Sequence, residues 1–236
     1  MLYSLTMQAV ILAAGKGVRM GNLTELTPKP LLEVGGKTLL DYKLEVLPKA
    51  IDEVVFVVGY LGDKIRSRYG KASSGRKIIY AEDSRLAGTA EALRSARVVL
   101  RDKFLVMMGD DIYLASDLEK MVKEEWALGA VSWCNNSKPT ATVYLDNKGM
   151  VRDIVEAVSD SGCRFVNAGL YTLKREFLDT PPVIIPGRSE YGLPQTLAKH
   201  WSGVVKVVPI KDWFPVTKPD DLTEVGDFLK KHGLCR

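Results

Sequence analysis

Short runs of apolar, largely β-branched residues alternate with stretches whose apolar residues recur at helical spacing, and this alternation constrains the fold most. Residues 8–12, 54–58, 77–81 and 104–108 read as buried strands, with helices predicted over 38–47, 64–69 and 89–99 between them. A helix over 116–128 and a strand over 130–134 continue the pattern. Near-continuous apolar strands separated by helices form a parallel sheet covered on both faces. The predicted class is α/β, a Rossmann-like, mostly parallel sheet with helices on both sides. Ligands of such sheets collect beyond the carboxyl ends of the strands, where the strand order switches. The loops after Leu12, Ala81 and Met108 are therefore where chemistry is sought.

From about residue 139 the rhythm changes. Shorter strands are predicted over 141–145, 151–155 and 165–173, with turns at 146–149 and 159–162. A helix near 193–201, a strand near 204–210 and a closing helix near 220–231 follow. No stretch reads as a linker, and 236 residues suit one large domain. The expectation is a single domain over 1–236, with halves at about 7–138 and about 139–236.

The longest clean apolar run, 9–14, is far short of the roughly 20 residues that cross a bilayer, so no membrane span is expected. Residues 1–6 lack the basic start and apolar core of a signal peptide. Net charge is +4, from 33 Lys+Arg against 29 Asp+Glu, and no stretch concentrates the cations as a nucleic-acid footprint would. Phosphate-bearing small molecules fit better. Cys134, Cys163 and Cys235 are odd in number and far apart, so reduced thiols and a cytoplasmic setting are expected. His200 and His232 read as solvated positions at helix ends, which disfavours histidine chemistry.

Leu12-Ala13-Ala14-Gly15-Lys16-Gly17-Val18-Arg19 is a strand running into a small-residue loop, where successive N–H groups can cradle a phosphate. The dinucleotide fingerprint breaks at Met20, and no P-loop run exists. Lys29 stands between Pro28 and Pro30, which hold it in a stiff segment that aims its side chain. Glu82 and Asp83 precede a second glycine loop and could accept hydrogen bonds from a nucleobase or form a solvated turn. Taken alone, Asp110 at the end of a strand reads more readily as a turn residue or helix cap than as a cation ligand.

Leu12-Ala13-Ala14-Gly15-x-Gly17-x-Arg19 with Pro28-Lys29-Pro30 resembles the signature of the sugar-1-phosphate nucleotidylyltransferases. The resemblance continues through Leu86-Ala87-Gly88-Thr89-Ala90, Gly109-Asp110 and Asn167-Ala168-Gly169-Leu170-Tyr171, and so spans nearly the whole chain. It implies the nucleotide-diphospho-sugar transferase type of fold, with a nucleotide-binding half and a smaller, mixed acceptor-binding half. It implies a phosphate oxygen of a sugar 1-phosphate, or a similar phosphorylated polyol or amino alcohol, attacking the α-phosphorus of a nucleoside triphosphate and releasing pyrophosphate. Arg19 would hold the β- and γ-phosphates, Lys29 the α-phosphate, and Asp110 a Mg²⁺ cofactor. Leu12, Ala13, Ala14, Gly15, Gly17, Glu82, Gly88 and Thr89 would line the nucleotide, and Glu156, Asn167 and Gly169 the acceptor. No nucleic-acid or membrane partner is implied, and whether the chain forms a homo-oligomer stays open.

Three departures fall in the acceptor half. The family's E-K-P reads Glu156-Ala157-Val158, its W-x-D reads Trp213-Phe214-Pro215, and the glycine expected before the sugar-facing strand is Ala141. Lys206, Lys211 or Lys218 is expected to replace the lost cation, and Asp111 or Asp212 the lost carboxylate. The competing expectation is a catalytically weak homologue that binds a nucleotide and regulates or scaffolds a partner.

Overall fold

The computed structural model describes residues 6–134, 140–158 and 162–235, so the turn expected at 159–162 lies largely outside the described residues. The chain enters on β1 (Met7–Ala13) and passes two 3-10 turns (Val18–Thr24 and Lys29–Leu31). A small ribbon, β2 (Glu33–Val34) and β3 (Lys37–Thr38), leads into α1 (Leu39–Val46). Then come β4 (Ile51–Val58), α2 (Gly62–Tyr69), β5 (Ala72–Ser73), β6 (Arg76–Glu82), α3 (Thr89–Ser95) and β7 (Lys103–Met108). The chain continues through β8 (Asp111–Tyr113), α4 (Ala115–Met121), β9 (Ala127–Trp133), β10 (Thr140–Leu145), β11 (Val151–Val158) and β12 (Arg164–Lys174). It ends with β13 (Val183–Ile184), β14 (Tyr191–Gly192), α5 (Leu193–His200), β15 (Lys206–Pro209), β16 (Trp213–Pro215) and α6 (Asp221–Lys231).

Among the described residues, ten strands share one sheet. From β1 the chain steps outward through β4 to β6, then returns to the other side of β1 as β7, all four strands parallel. The strand order therefore reverses at β1, and a crevice opens beyond the carboxyl ends of β1 and β7. β12 pairs antiparallel with β7 and also with β9. This is the α/β, mostly parallel arrangement expected, with a mixed extension. Alternate residues of β1 enter different layers: Ala9, Ile11 and Ala13 pack on one face, Val10 and Leu12 on the other. Two covered faces explain why the strand reads as an uninterrupted apolar run.

The helix expected over 116–128 stops at Met121, and Ala127 already belongs to β9, opposite Thr172 of β12. Residues 127–131 are buried without interruption, and the sheet partner overrides the helical spacing. The helix beginning at Thr89 likewise ends at Ser95 rather than residue 99.

The reduced-thiol expectation is overturned for two cysteines. Cys134 and Cys163 form a disulfide across 29 residues of chain, and Cys235 is the free cysteine among the described residues. The cause is register: Trp133 pairs with Arg164, so the cysteines one step beyond face each other with Cα atoms 4.0 Å apart. No helix of the described residues is long and apolar enough to cross a membrane. His200 is exposed, but His232 is not the solvated position expected. Its Nε2 lies 3.0 Å from Asp212 Oδ2 and its ring packs against Phe228.

Candidate active site

Lys29 opens its 3-10 turn after an extended Pro28 (φ −62°, ψ 139°), and the prolines on either side fix where its side chain leaves the backbone. Two glycines allow the surrounding segments to close on it. A Cβ on Gly17, at φ +65°, would sit 3.1 Å from Lys29 Cβ, so the small-residue loop packs directly on the lysine stem. Gly109 N donates to Leu12 O at 2.9 Å, and a Cβ on Gly109 would lie 2.6 Å from that oxygen. Only glycine lets the ends of β1 and β7 approach this closely. The result is an ion pair at the strand-order reversal: Lys29 Nζ lies 2.5 Å from Asp110 Oδ2. The lysine side chain is 7% exposed and the aspartate 31%, so the carboxylate keeps an open side.

Arg19 stands exposed on the first 3-10 turn, makes no ion pair among the described residues, and is not drawn into the Lys29–Asp110 contact. Leu12, Ala13 and Ala14 are buried, and Ala14 O accepts from Tyr60 N at 3.0 Å. Gly15 is exposed. Beside this loop lies a cavity of about 280 Å³ lined by Lys16, Val18, Gly21, Thr24, Glu25 and Tyr60. Lys16 is a cation that sequence reasoning passed over. Its signal was its place between Gly15 and Gly17, two residues whose small size was read but whose neighbour was not.

The second glycine loop is stitched to the far half of the chain. Gly88 adopts φ +104°, ψ 173°, a region that only glycine occupies readily, and a Cβ there would meet Tyr191 O at 2.4 Å. Tyr191 N donates to Ala87 O at 2.7 Å, and Leu193 N donates to Thr89 Oγ1 at 2.9 Å. Asp83 is a structural turn residue whose carboxylate accepts from Arg85 N and Leu86 N at 3.2 Å each. Glu82 is exposed and paired with Arg66 of α2.

In the later half of the chain, Glu156 Oε1 accepts from Gln195 Nε2 at 3.0 Å. Asn167 holds a bulge in β12: its Oδ1 accepts from Gly169 N at 3.0 Å and its Nδ2 donates to Tyr171 Oη at 2.8 Å. Gly169 has φ +65°, and a Cβ on it would sit 3.0 Å from Asp111 Oδ2. Glu156 is thus held by Gln195, Asn167 by Tyr171, and Gly169 by Asn167. Two of the expected substitute cations are committed elsewhere, Lys206 to Glu124 at 2.6 Å and Lys218 to Asp220 at 3.3 Å. Asp212 is held by Lys231 and His232, so it does not replace the lost carboxylate.

Asp111 follows Asp110 directly in the chain. It faces Pro215 across the β8–β16 ribbon, is 6% exposed, and its Oδ2 accepts from Tyr113 Oη at 3.1 Å. Burial, then the neighbouring Asp110 charge, pushes its carboxyl up to about 7. Among the described residues the buried Trp213 indole N–H has no partner at hydrogen-bond geometry, while its effect on Asp111 is to favour the ionised carboxylate. Behind it sits Lys43 of α1, 1% exposed, which burial lowers to about 8 against the pull of Asp111 and Asp110. Sequence reasoning missed Lys43, whose signal was a charge among Leu39, Leu40 and Leu44 on the buried side of a helix.

No group of three or more His, Cys, Asp or Glu among the described residues could hold a metal unaided. Asp110 and Asp111 nevertheless suit a hard cation such as Mg²⁺, which needs one or two carboxylates when substrate phosphates complete its shell.

Residues 8–231 match the family model described as nucleotidyl transferase. The chain belongs to the nucleotidyl transferase family. It is 31% identical over 227 residues to the bifunctional protein GlmU of Methanocaldococcus jannaschii, covering 94% of this chain and 54% of that protein. It is 32% identical over 237 residues to the UTP–glucose-1-phosphate uridylyltransferase AglF of Haloferax volcanii, covering 95% and 97%. The chain spans about half the length of the GlmU relatives it matches and nearly all of AglF. The structure of the inositol-1-phosphate CTP transferase from T. maritima superposes with a TM-score of 0.76 at 21% identity, covering 97% of this chain and 96% of that one. That likeness shows a shared fold.

Proposed function

We propose that this nucleotidyl transferase moves a nucleoside monophosphate from a nucleoside triphosphate to a sugar 1-phosphate or similar phosphorylated polyol, as one domain with a nucleotide half and an acceptor half. The acceptor phosphate oxygen forms a bond to the α-phosphorus, and the bond to the bridging oxygen breaks to release pyrophosphate. Such a displacement asks for positioning and charge neutralisation rather than a protein nucleophile. The observation that carries the reading is the Lys29–Asp110 contact at 2.5 Å, set beside the small-residue loop at the strand-order reversal. Backbone N–H groups after Ala14 would cradle the phosphates, with Arg19 on the leaving pyrophosphate. Lys29 would exchange Asp110 for an α-phosphate oxygen. Gly88 and Thr89 would line the nucleoside, with Glu82 as a base-reading side chain; Glu156, Asn167 and Gly169 would line the acceptor. Mg²⁺, bound at Asp110 with Asp111 beside it, would neutralise charge on the phosphates. The Cys134–Cys163 disulfide is of a kind rare in the cytoplasm, so the cytoplasmic setting expected from reduced thiols loses that support.

The test is Mg²⁺-dependent pyrophosphate release across a panel of triphosphates, hexose 1-phosphates and inositol phosphate. At least one pair is expected to turn over, and Lys29→Met should lower its kcat/KM by about 10²–10³-fold. Silence from every pair, or a Lys29→Met protein as active as wild type, would refute the reading.

A further inference from the structure

We propose that Gln195 is a positioning residue for this reaction: from the start of α5 it grips the Glu156 carboxylate and sets it to receive a hydroxyl group of the phosphorylated acceptor. The inference rests on the reading that places Glu156 at the acceptor of a nucleotidyl transfer.

Gln195 belongs to the buried face of α5 with Leu193, Thr196 and Leu197, and is 8% exposed. Packing alone would be served as well there by a leucine or methionine. An amide in that place carries a cost, because its Oε1 is buried with no hydrogen-bond partner among the described residues. Room for that oxygen exists only because residue 192 is glycine, where a Cβ would stand 1.6 Å from it. What offsets the cost is at the other end of the amide. Nε2 donates to Glu156 Oε1 at 3.0 Å, across 39 residues of chain. Hydrogen bonds to carboxylates are the stronger kind. This one engages a single oxygen of Glu156, and the other, Oε2, is the one assigned to an acceptor hydroxyl.

The carboxylate needs such a grip. Glu156 is exposed and stands on β11, the edge strand of the large sheet, where a long side chain left to itself samples many rotamers. The helix start that holds it is firmly set. Pro194 presets the first turn, and Thr196 Oγ1 donates to Gly192 O at 2.7 Å and accepts from Val183 N at 3.0 Å. The same segment also meets the glycine loop proposed to line the nucleoside, through Tyr191 N to Ala87 O and Leu193 N to Thr89 Oγ1. The short run from Tyr191 to Gln195 therefore bonds that loop at one end and Glu156 at the other. Gln195 fixes the carboxylate in register with the place where the nucleotide would lie, before the acceptor arrives.

The experiment measures kcat, both KM values and melting temperature for Gln195→Met, Glu156→Ala and the double variant, using whichever hexose 1-phosphate or inositol phosphate the wild type turns over. Gln195→Met should raise the acceptor KM about 10-fold while kcat and the triphosphate KM stay within about two-fold of wild type. Its melting temperature should be no lower, since the orphaned oxygen leaves with the amide. Because Gln195 acts through Glu156, its loss should add nothing in the Glu156→Ala background. A wild-type acceptor KM in Gln195→Met overturns the proposal, and so does an equal rise in both KM values. The same 10-fold rise in the Glu156→Ala background overturns it as well. Should Gln195→Met not fold, Gln195→Glu keeps the shape and replaces the donor with a carboxylate that repels Glu156; an unchanged acceptor KM there is equally fatal. Wild type that turns over no substrate pair removes the functional reading and this inference together. Active wild type whose acceptor KM is unmoved by Glu156→Ala removes the inference alone.

Discussion

Opening the Cys134–Cys163 cross-link gives a prediction whose size follows from the chain itself. The bond closes a loop spanning 29 residues, from the end of β9 through β10 and β11 to the start of β12. Treated as lost loop entropy of the unfolded chain, a closure of that length stabilises the native state by about 3.6 kcal/mol at 25 °C. For a chain of this size each kcal/mol moves the melting temperature by about 2–4 °C, so reduction should lower it by about 7–14 °C. The assay is a thermal melt of the oxidised protein, the protein treated with dithiothreitol, and the Cys134→Ser/Cys163→Ser variant, with thiols counted after denaturation. The oxidised protein should titrate one thiol, from Cys235, and the reduced protein three. Reduced protein and variant should melt together, with no further response of the variant to reductant. Three thiols in the untreated protein, or identical melting before and after reduction, would show that the strand register seen at Trp133 and Arg164 does not join the two sulfurs.

Three further outcomes are expected. Gly88→Ala places a methyl group 2.4 Å from Tyr191 O in a backbone region closed to other residues; it should cost about 3 kcal/mol or more in a denaturant titration and raise the triphosphate KM. Burial raises the Asp221 carboxyl, but hydrogen bonds from Thr217 N at 2.6 Å, Thr217 Oγ1 at 2.7 Å and Lys218 N at 2.9 Å outweigh it and hold it below 3.8. Its folded value is thus depressed, so the stabilisation is present above 3.8 and lost as pH falls through the lower folded value. Asp221→Asn should be less stable than wild type by about 2 kcal/mol at neutral pH, a gap that closes in urea melts run in acid. Removing divalent ions with EDTA should abolish pyrophosphate release, and added Mg²⁺ should restore it.

The parallel half of the sheet was legible because β1, β4 and β7 are buried on both faces, which leaves uninterrupted apolar runs that no amphipathic helix would carry. The pairing of Lys29 with Asp110, 81 residues apart, was legible only in its ingredients: a proline-braced cation and a strand-end carboxylate. What joins them, the contact of Gly109 with Leu12 O, is tertiary and leaves no local mark. Ribbons as short as β8, β14 and β16 hold two or three residues each, too few to show a period. The disulfide was missed for the same reason, since spacing along the chain says nothing about which strand ends meet. Lys43 was hidden by habit, because a lysine in a helix ordinarily points to water.

β12 joins the parallel block through main-chain hydrogen bonds to β7, from Leu170 opposite Met107 to Lys174 opposite Lys103. The strand bearing Asn167 and Gly169 is consequently welded to the one leading into Asp110, and swivelling one against the other would mean unzipping a ladder. A change of ligand on this scaffold is therefore a matter of exchanging side chains and connecting loops above a rigid deck.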